Sequence, residues 1–345
     1  MPILDFRKMN KAKRDVIVTH MPEDDQWPYC RKMSEDTGRE FHVESMSTGD
    51  GSSRLRCLFC YVVFPLLLFF RRKQYGVIVA HQQFYGLLLA FYCRLFHVSK
   101  TFRLVILTFI YLPKQGLIGK LYHRFIQYVV QSPYIDAYTV HSSSEPQRYA
   151  SQLGVDASRF HFVPLGMNSF PPQPSVPDMQ GRKYILAVGR SNRDYDFLTQ
   201  ALGGTEYEVD IICDSYHNSK VPANIHIHND IFSEMPLWLH NCYCVVIPLR
   251  DPEVSSGQLV LLQAQQMGKP VIVTRSNALK DYISEGVTGL TIQNEPRQLL
   301  DALYQLYHDP KLYQQLADNA SSNFQQRHSA ERQVENTARV IRHIC

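Results

Sequence analysis

The sequence predicts an α/β protein of two halves, each a doubly wound parallel sheet flanked by helices. Three observations lead there. Short β-branched or aromatic runs alternate with helix-length apolar patterns along the chain. A proline-rich stretch interrupts that alternation once, near the middle. The chain has 345 residues, which suits two domains of about 170 each.

In the first half the strand-like runs are DVIVTH (15–20), EFHVES (40–45), YGVIVAH (75–81), RLVILTFIY (103–111), AYTVHS (137–142) and FHFVPLG (160–166). Helix-length segments such as FYGLLLAFYCRLF (84–96) and GLIGKLYHRFIQYVVQ (116–131) lie between several of them. CLFCYVVFPLLLFF (57–70) is the most apolar run. It holds Pro65, ends in Arg71-Arg72-Lys73 and falls short of the roughly 20 residues a spanning helix needs. A core helix is the favoured reading, and contact with a membrane surface through the basic flank is the sharper one.

SFPPQPSVPDMQGR (169–182) carries Pro171, Pro172, Pro174 and Pro177. It continues neither a helix nor a central strand, which puts a linker at 171–182. The alternation then restarts. YILAVGR (184–190), EYEVDIIC (206–213), NIHIH (224–228), CYCVVIPL (242–249) and TGLTIQ (288–293) read as strands, with another after Gly268-Lys269-Pro270. DYDFLTQAL (194–202), SEMPLWLHN (233–241), the run after Gly257 and ALKDYISEG (278–286) read as helices. The tail reads as helices with apolar spacing at Leu300, Tyr304 and Tyr307. No internal repeat with a period of roughly 20–50 residues is visible. In such sheets a ligand belongs in the crevice at the carboxyl ends of the strands.

Composition narrows the function. Hydrophobic residues make up 45% and charged residues 20%, and the net charge of +4 is too weak by itself to argue for a nucleic-acid binder. Eight cysteines in a chain of this length, with Cys57-x-x-Cys60 in an apolar run and Cys242 and Cys244 alternating on a strand, read as reduced packing residues of a cytosolic protein. The start, MPILDFRKMNKAKRD, is basic but lacks the apolar core of a signal peptide.

Several motifs can be set aside. There is no Gly-x-Gly-x-x-Gly after a strand, and GLIGKL (116–121) has the wrong spacing for a phosphate loop. No Gly-x-Ser-x-Gly elbow is present. His226 and His228 share a strand face without a metal set, so a structural or surface role is favoured. Asp194-x-Asp196 opens a helix, where capping is the economical account.

One constellation remains. The strand ending at Gly189-Arg190, with Arg193 in the turn, brings two guanidinium groups to a strand's carboxyl end. The strand ending at Leu249 leads through Arg250–Ser256 into a helix at Gly257. Ser255 or Ser256 can cap that helix, worth roughly 0.5–2 kcal/mol. Its free N–H groups form an anion seat, and Gly257 lets the backbone approach closely. A lone Ser-Ser-Gly is usually only a cap, and an Arg pair usually a solvated face. Together at one sheet edge they favour a diphosphate. Without a hydride fingerprint or a phosphate-loop lysine, that suggests a nucleotide-diphosphate sugar.

FHFVPLGMN (160–168), ILAVGR (185–190), RDYDFL (193–198), VVIPLRDPEVSSGQLVLLQAQQMGKPVIVT (245–274) and DYISEGVTGL (281–290) together resemble the donor domain of a family-four glycosyltransferase of the GT-B fold. In the first half the resemblance is looser, resting on YGVIVAHQQFYG (75–86) and AYTVHSS (137–143). It implies two Rossmann-like domains facing a central cleft: an acceptor-side domain over 1–170, a donor domain over 183–325 and a C-terminal helix over 326–345 packing back on the first domain. It implies donor contacts from Gly189, Arg190, Arg193, Ser255, Ser256, Gly257, Gln258 and Gln263. Arg193 stands where the family usually has Lys. Ser255 and Gln263 stand where it has the two glutamates of Glu-x7-Glu, which contact the sugar and the ribose; a Gln can still bond a ribose diol. Glu253 is a substitute for the first glutamate if the loop is displaced. The family's histidine after the fourth first-half strand is absent, and His81, at the end of the preceding strand, is the acceptor-side candidate. The catalytic candidates are therefore His81, Glu253 and Ser255.

The implied activity is retaining, metal-independent transfer of a sugar from a nucleotide-diphosphate sugar co-substrate to a saccharide or lipid-linked saccharide during surface-polysaccharide assembly. No cofactor and no nucleic acid are expected. Arg54, Arg56, Arg71, Arg72, Lys73, Lys114, Lys120 and Arg124 make contact with an anionic membrane surface an expectation for an otherwise cytoplasmic chain. Changed glutamates keep two alternatives open: a non-catalytic nucleotide-sugar-binding subunit, and an epimerase or phosphorylase of the same fold.

Overall fold

The computed structural model describes residues 13–46, 54–171, 173 and 182–345, without the side chains of 54–57. The basic start up to residue 12, most of the expected linker at 171–182, and the side chains of Arg54, Arg56 and Cys57 lie outside the described residues. The chain divides into two compact units. Unit 1 runs to His141 and takes in Glu145–Val163 and Val334–Cys345; unit 2 holds Ser142–Ser144 and Pro164–Gln333.

Unit 1 follows the alternation closely: β1 (Arg14–Thr19), α1 (Pro28–Thr37), β2 (Phe41–Ser45), α2 (Arg54–Arg71), β3 (Tyr75–Ala80), α3 (Gln83–Leu95), β4 (Arg103–Ile106), α4 (Gly116–Val130), β5 (Ala137–Val140), α5 (Glu145–Leu153) and β6 (Phe160–Phe162). All six strands pair in parallel, in the order β2-β1-β3-β4-β5-β6. Central strands of such a sheet are covered on both faces, so they read as continuous apolar runs. Val16, Ile17 and Val18 on β1 and Val77 through Ala80 on β3 are all buried. One face packs α2, α3 and α4 through Phe64, Leu68, Leu89, Ile126 and Val129. The other packs Cys30 and Met33 of α1 with Val334, Ala338 and Ile341 near the C-terminus.

Unit 2 contains β7 (Tyr184–Val188), α6 (Tyr195–Leu202), β8 (Glu208–Ile212), β9 (Ile225–His228), α7 (Met235–Asn241), β10 (Cys244–Ile247), α8 (Gln258–Gln266), β11 (Val271–Thr274), β12 (Leu290–Ile292), α9 (Pro296–His308) and α10 (Pro310–Arg327). The last helix, α11 (Ala330–Ile344), starts here and belongs to unit 1 from Val334 onward. The sheet order is β12-β11-β10-β7-β8-β9, again all parallel. The α/β class and both parallel sheets are as the sequence predicts.

Four local expectations need correction. The strand expected over 103–111 stops at Ile106, because Thr108 takes a left-handed turn (φ 53°) and donates its amide to Thr139 Oγ1 at 3.0 Å. The helix expected over 278–286 is a set of turns. Tyr282 and Ile283 bond back to Leu279, Tyr282 is fully buried, and left-handed Gly286 (φ 68°) ends the segment. On α9 the buried stripe is Leu299, Ala302, Leu303 and Leu306, at i, i+3, i+4 and i+7, while Tyr304 points outward and stacks on His308. Cys242 is not on a strand; it closes α7, and β10 begins at Cys244.

Gly119 explains the GLIGK sequence without phosphate. A Cβ there would lie 1.9 Å from the Lys114 carbonyl oxygen, so the 112–115 loop lies against α4 only because the side chain is missing. Gly119→Ala is expected to cost roughly 1–3 kcal/mol, as overpacking does. A urea midpoint equal to that of the unaltered protein would contradict this packing.

Candidate functional site

In unit 2 the chain leaves β7 toward β8 and β9, then returns to place β10 on the other side of β7. The β7–β10 pair is therefore the switch point of the sheet, where two successive crossovers leave on opposite sides and open a crevice at the strands' carboxyl ends. Two loops meet there: 189–194, between β7 and α6, and 248–257, between β10 and α8.

Asn192 ties them together. It sits in the left-handed region (φ 53°), which Asn tolerates better than most residues. Its Nδ2 donates to the Asp251 carbonyl at 2.8 Å and to Ser256 Oγ at 2.9 Å, and its Oδ1 accepts from the Asp251 amide at 2.9 Å. The Asp194 amide donates to the Pro248 carbonyl at 2.9 Å, and Arg193 and Leu249 form an antiparallel bridge. From the far side, Asn294 donates to the Leu249 carbonyl at 2.8 Å and accepts from Thr274 Oγ1, which itself accepts from the Leu249 amide.

The two arginines behave differently. Arg190 pairs with Asp214 and lies over the Phe232 ring, 3.9 Å from its centroid. Arg193 curls back beneath its own loop. Its Nε donates to the Val188 carbonyl at 3.1 Å and its Nη1 to the Ser191 carbonyl at 2.9 Å. Gly189 makes room: its φ is 137°, and a Cβ there would stand 2.7 Å from the guanidinium. Burial lowers the Arg193 pKa, and among the described residues no carboxylate pairs with it. A guanidinium stays charged in proteins, so this is a half-buried cation without a counter-ion.

The expected serine cap is absent. The N-cap of α8 is Gly257, left-handed at φ 92°, with no side-chain cap bond. The hydroxyls are used elsewhere: Ser256 accepts from Asn192, and Ser255 accepts from Gln258 Nε2 at 2.7 Å. That leaves the positive end of α8 without a side-chain acceptor. Two turns on, Gln263 is buried, and its Oε1 has no hydrogen-bond partner among the described residues. Glu253 is exposed and accepts from Asn277 Nδ2 at 2.8 Å. Gly189, Arg190, Arg193, Ser255, Ser256, Gly257, Gln258 and Gln263 thus lie on two adjoining strand–helix units, with Glu253 on the loop between.

His81 belongs to unit 1, at a second switch point. The order β2-β1-β3 puts β1 and β3 side by side; His20 follows β1 and His81 follows β3. Both Nδ1 atoms are buried without a partner among the described residues. Trp27 and Tyr29 stack at 4.8 Å and present to His81 edge-on, at 5.1 and 5.6 Å. Burial, then repulsion from His20, pushes the His81 pKa down to about 4, so its ring is neutral near pH 7. His141, at the end of β5, is satisfied instead, by the Val163 carbonyl and Thr108 Oγ1.

No group of three His, Cys, Asp or Glu among the described residues could hold a metal ion. Asp194 caps α6 through the Phe197 amide at 3.1 Å. His226 and His228 bond Glu208 and Asp210 of the neighbouring strand, carboxylates that the local sequence does not announce. Asn192, Thr274, Asn294 and His20 were missed in the sequence. Only Asn192, a residue suited to left-handed turns directly after Gly-Arg-Ser, left a trace there.

Two measurements check this geometry. Asn192→Ala removes three bonds and strains a left-handed position, so stability should fall by about 2 kcal/mol in chemical denaturation. The His81 pKa is depressed in the folded state, so the unfolded chain takes up a proton below about pH 6.5 that the folded chain refuses until about pH 4. Stability present above that window should decline through it on acidification. His81→Asn should make the decline between pH 7.5 and 5 shallower; an equally steep decline would contradict the burial.

Comparison with known proteins adds to this. Residues 182–309 match the family model described as "Glycosyl transferases group 1". A D-inositol 3-phosphate glycosyltransferase of Arthrobacter sp. (strain FB24) is 29% identical over 188 residues, 52% of this chain and 42% of that protein. The chain thus spans less than half the length of that relative. Among solved structures, HepE of Anabaena in complex with UDP-glucose superposes with a TM-score of 0.67 at 13% identity, covering 95% of this chain and 98% of that one. A sucrose-phosphate synthase from Thermosynechococcus elongatus gives 0.68 at 14% identity, covering 96% and 98%. At these identities the likeness shows the fold.

Proposed function

We propose that the chain is a retaining glycosyltransferase, a reading supported by the match of residues 182–309 to the group 1 glycosyltransferase family model and by a fold shared with HepE. It takes a sugar from a nucleotide-diphosphate donor and passes it to a saccharide hydroxyl, on a lipid-linked carrier in surface-polysaccharide assembly.

The observation that carries this reading is the Arg193 guanidinium, half-buried with no carboxylate partner among the described residues, on a loop that Asn192 ties to the loop opening the uncapped α8. A diphosphate supplies the missing counter-charge and accepts from the open N–H groups. When the bond from the anomeric carbon to the diphosphate breaks, negative charge grows on the leaving oxygen, and these fixed positive groups stabilise it without a metal. Arg190 contributes if it exchanges Asp214 for phosphate. Gln263 Oε1 accepts a ribose hydroxyl. On the acceptor side, the neutral His81 with His20, beside the Trp27–Tyr29 pair, offers ring nitrogens and an aromatic wall to a sugar. HepE was solved with UDP-glucose, which makes uridine diphosphate the first donor nucleotide to try.

Titration calorimetry with nucleoside diphosphates tests the donor site. Arg193→Ala should weaken binding by about 10–100-fold, as the loss of a charge-assisted bond does, and Gln263→Ala by about 3–10-fold. Affinity left unchanged by Arg193→Ala would overturn the assignment. Transfer assays with a panel of nucleotide sugars and saccharide acceptors test the activity. Binding without turnover on any acceptor would favour a non-catalytic nucleotide-sugar-binding subunit, the reading motivated by Ser255 and Gln263 in place of two glutamates. Interconversion of free nucleotide sugars without acceptor would indicate an epimerase, and a requirement for inorganic phosphate a phosphorylase.

A further inference from the structure

Among the described residues other than glycine, His97, Thr108, Asn192 and Asp230 hold a positive φ. Thr108, at 53°, is the β-branched one, and branching at Cβ makes that conformation the most costly of the four. Such strain persists only where the surroundings impose it, and it gathers at functional sites. Here the buried Thr139 accepts the Thr108 amide through Oγ1, and Thr108 Oγ1 lies 3.0 Å from His141 Nε2. Thr108 itself is half-buried rather than sealed in the core.

The direction of the Thr108–His141 bond is set by its neighbours. His141 Nδ1 lies 2.8 Å from the Val163 carbonyl oxygen. A carbonyl only accepts, so Nδ1 carries the ring proton. Burial lowers the His141 pKa, which keeps the ring neutral near pH 7 and leaves a lone pair on Nε2. Nε2 therefore accepts, and Thr108 Oγ1 donates its single proton inward. What the hydroxyl has left is acceptor capacity alone. The backbone that carries the ring is held too. The His141 amide donates to Glu145 Oε2 at 3.1 Å, and the buried Glu145 accepts from the Tyr149 hydroxyl at 3.1 Å.

Thr108 stands on the sheet edge that carries His20 and His81. β1, β3 and β4 are neighbours in the sheet, about 4.8 Å from one to the next. β3 and β4 pair Ala80 with Ile106, and the Leu107 amide donates to the Ala80 carbonyl at 3.0 Å. His20, His81 and Thr108 thus follow three adjoining strands. The segments that carry them, 20–27, 81–82 and 107–111, contain no Lys or Arg, and Glu23, Asp24 and Asp25 lie in the first.

We propose that Thr108 Oγ1 accepts a hydrogen bond from a hydroxyl of an uncharged saccharide bound at the ends of β1, β3 and β4, and that the Thr108–His141 pair discriminates there against phosphorylated and carboxylated sugars. The proposal deepens the acceptor-side part of the glycosyltransferase reading and rests on it. A sugar hydroxyl donates to an oxygen that can only accept. A phosphate or carboxylate oxygen sets lone pairs against lone pairs, in segments that bring acidic residues and no cation. A deoxy sugar leaves Oγ1 unpaired, and sites built around such a bond reject the analogue that lacks it.

Nitrogen NMR of the histidine-labelled protein at pH 7 checks the direction of the bond. His141 should be the Nδ1–H tautomer; the Nε2–H tautomer would overturn the proposal. Binding is then measured by NMR titration with the methyl α-glycosides of glucose, galactose and mannose, in the presence of UDP. At least one should bind, and more tightly than the corresponding hexose phosphate. Thr108→Gly removes the hydroxyl and the backbone strain together, and should weaken the methyl glycoside by about 3–10-fold. Thr108→Ser should restore it, with UDP affinity the same in all three proteins. Equal affinity in Thr108→Gly, tighter binding of the hexose phosphate, or no binding of any methyl glycoside overturns the proposal, and with UDP binding and sugar transfer intact it leaves the glycosyltransferase reading standing. Absence of transfer from any nucleotide sugar, with methyl glycosides still held through Thr108, sinks that reading and not the saccharide site.

Discussion

A guanidinium held under its own loop, with no carboxylate among the described residues to neutralise it, is the interaction around which unit 2's switch point is arranged. Arg193 can fold back only because Gly189 has no side chain and a φ of 137°. It stays there because its Nε and Nη1 bond the Val188 and Ser191 carbonyls. The loop that carries it is fixed by Asn192, which reaches across to Asp251 and Ser256. The second loop thereby loses its serine to a structural bond and delivers α8 with its N–H groups uncapped. One left-handed asparagine therefore sets both the position of the cation and the openness of the helix end. Positive groups fixed by backbone bonds need little reorganisation when charge develops nearby, which is the property that makes them useful in catalysis.

Unit 1 offers a different chemistry at the equivalent place. Its switch point carries two imidazoles with buried, unpartnered nitrogens and an aromatic pair rather than cations. Low-dielectric burial keeps His81 neutral. The neutral His81 ring and an aromatic pair suit an uncharged, hydroxyl-rich ligand, whereas an uncompensated guanidinium suits a diphosphate. Lys114, Lys120 and Arg124 lie elsewhere in unit 1, on α4 and the loop before it.

What could be read from the sequence follows from which forces act locally. Alternating apolar runs report burial of strand and helix, so both parallel sheets and their order along the chain were legible. The Gly189-Arg190, Arg193 and Ser255-Ser256-Gly257 signals lie at strand ends, and strand ends of a doubly wound sheet converge whatever their side chains do. Side-chain direction was not legible. Ser255 and Ser256 have good cap chemistry, but Asn192 takes the Ser256 hydroxyl from 64 residues away and Gln258, three positions on, takes that of Ser255. Thr274 and Asn294 brace Leu249 through bonds spanning 25 and 45 residues, which no spacing rule detects. The 278–286 segment carries helical apolar spacing, yet burying Tyr282 in the core and turning at Gly286 outweigh a marginal helix of that length. On α9 the missed stripe is a one-residue phase error, the kind that aromatic residues with amphipathic rings invite.

The absent glutamates fit this electrostatic arrangement. The resemblance assigns carboxylates to the positions of Ser255 and Gln263. A carboxylate at 263 would have been buried, with desolvation opposing its charge, unless Arg193 or the end of α8 compensated it. A neutral Gln leaves both positive features unspent and still presents an acceptor, because its Oε1 has no protein partner among the described residues. At 255 the short hydroxyl is occupied by Gln258 and does not reach outward as a glutamate would. On the proposed reading the two replacements act in opposite directions. Gln263 would keep a ribose contact while leaving the anion seat more positive, and Ser255 would give up a contact to the sugar, so that the grip on the donor shifts from its sugar to its diphosphate. A site built this way should bind nucleoside diphosphates nearly as well as the intact sugar nucleotides.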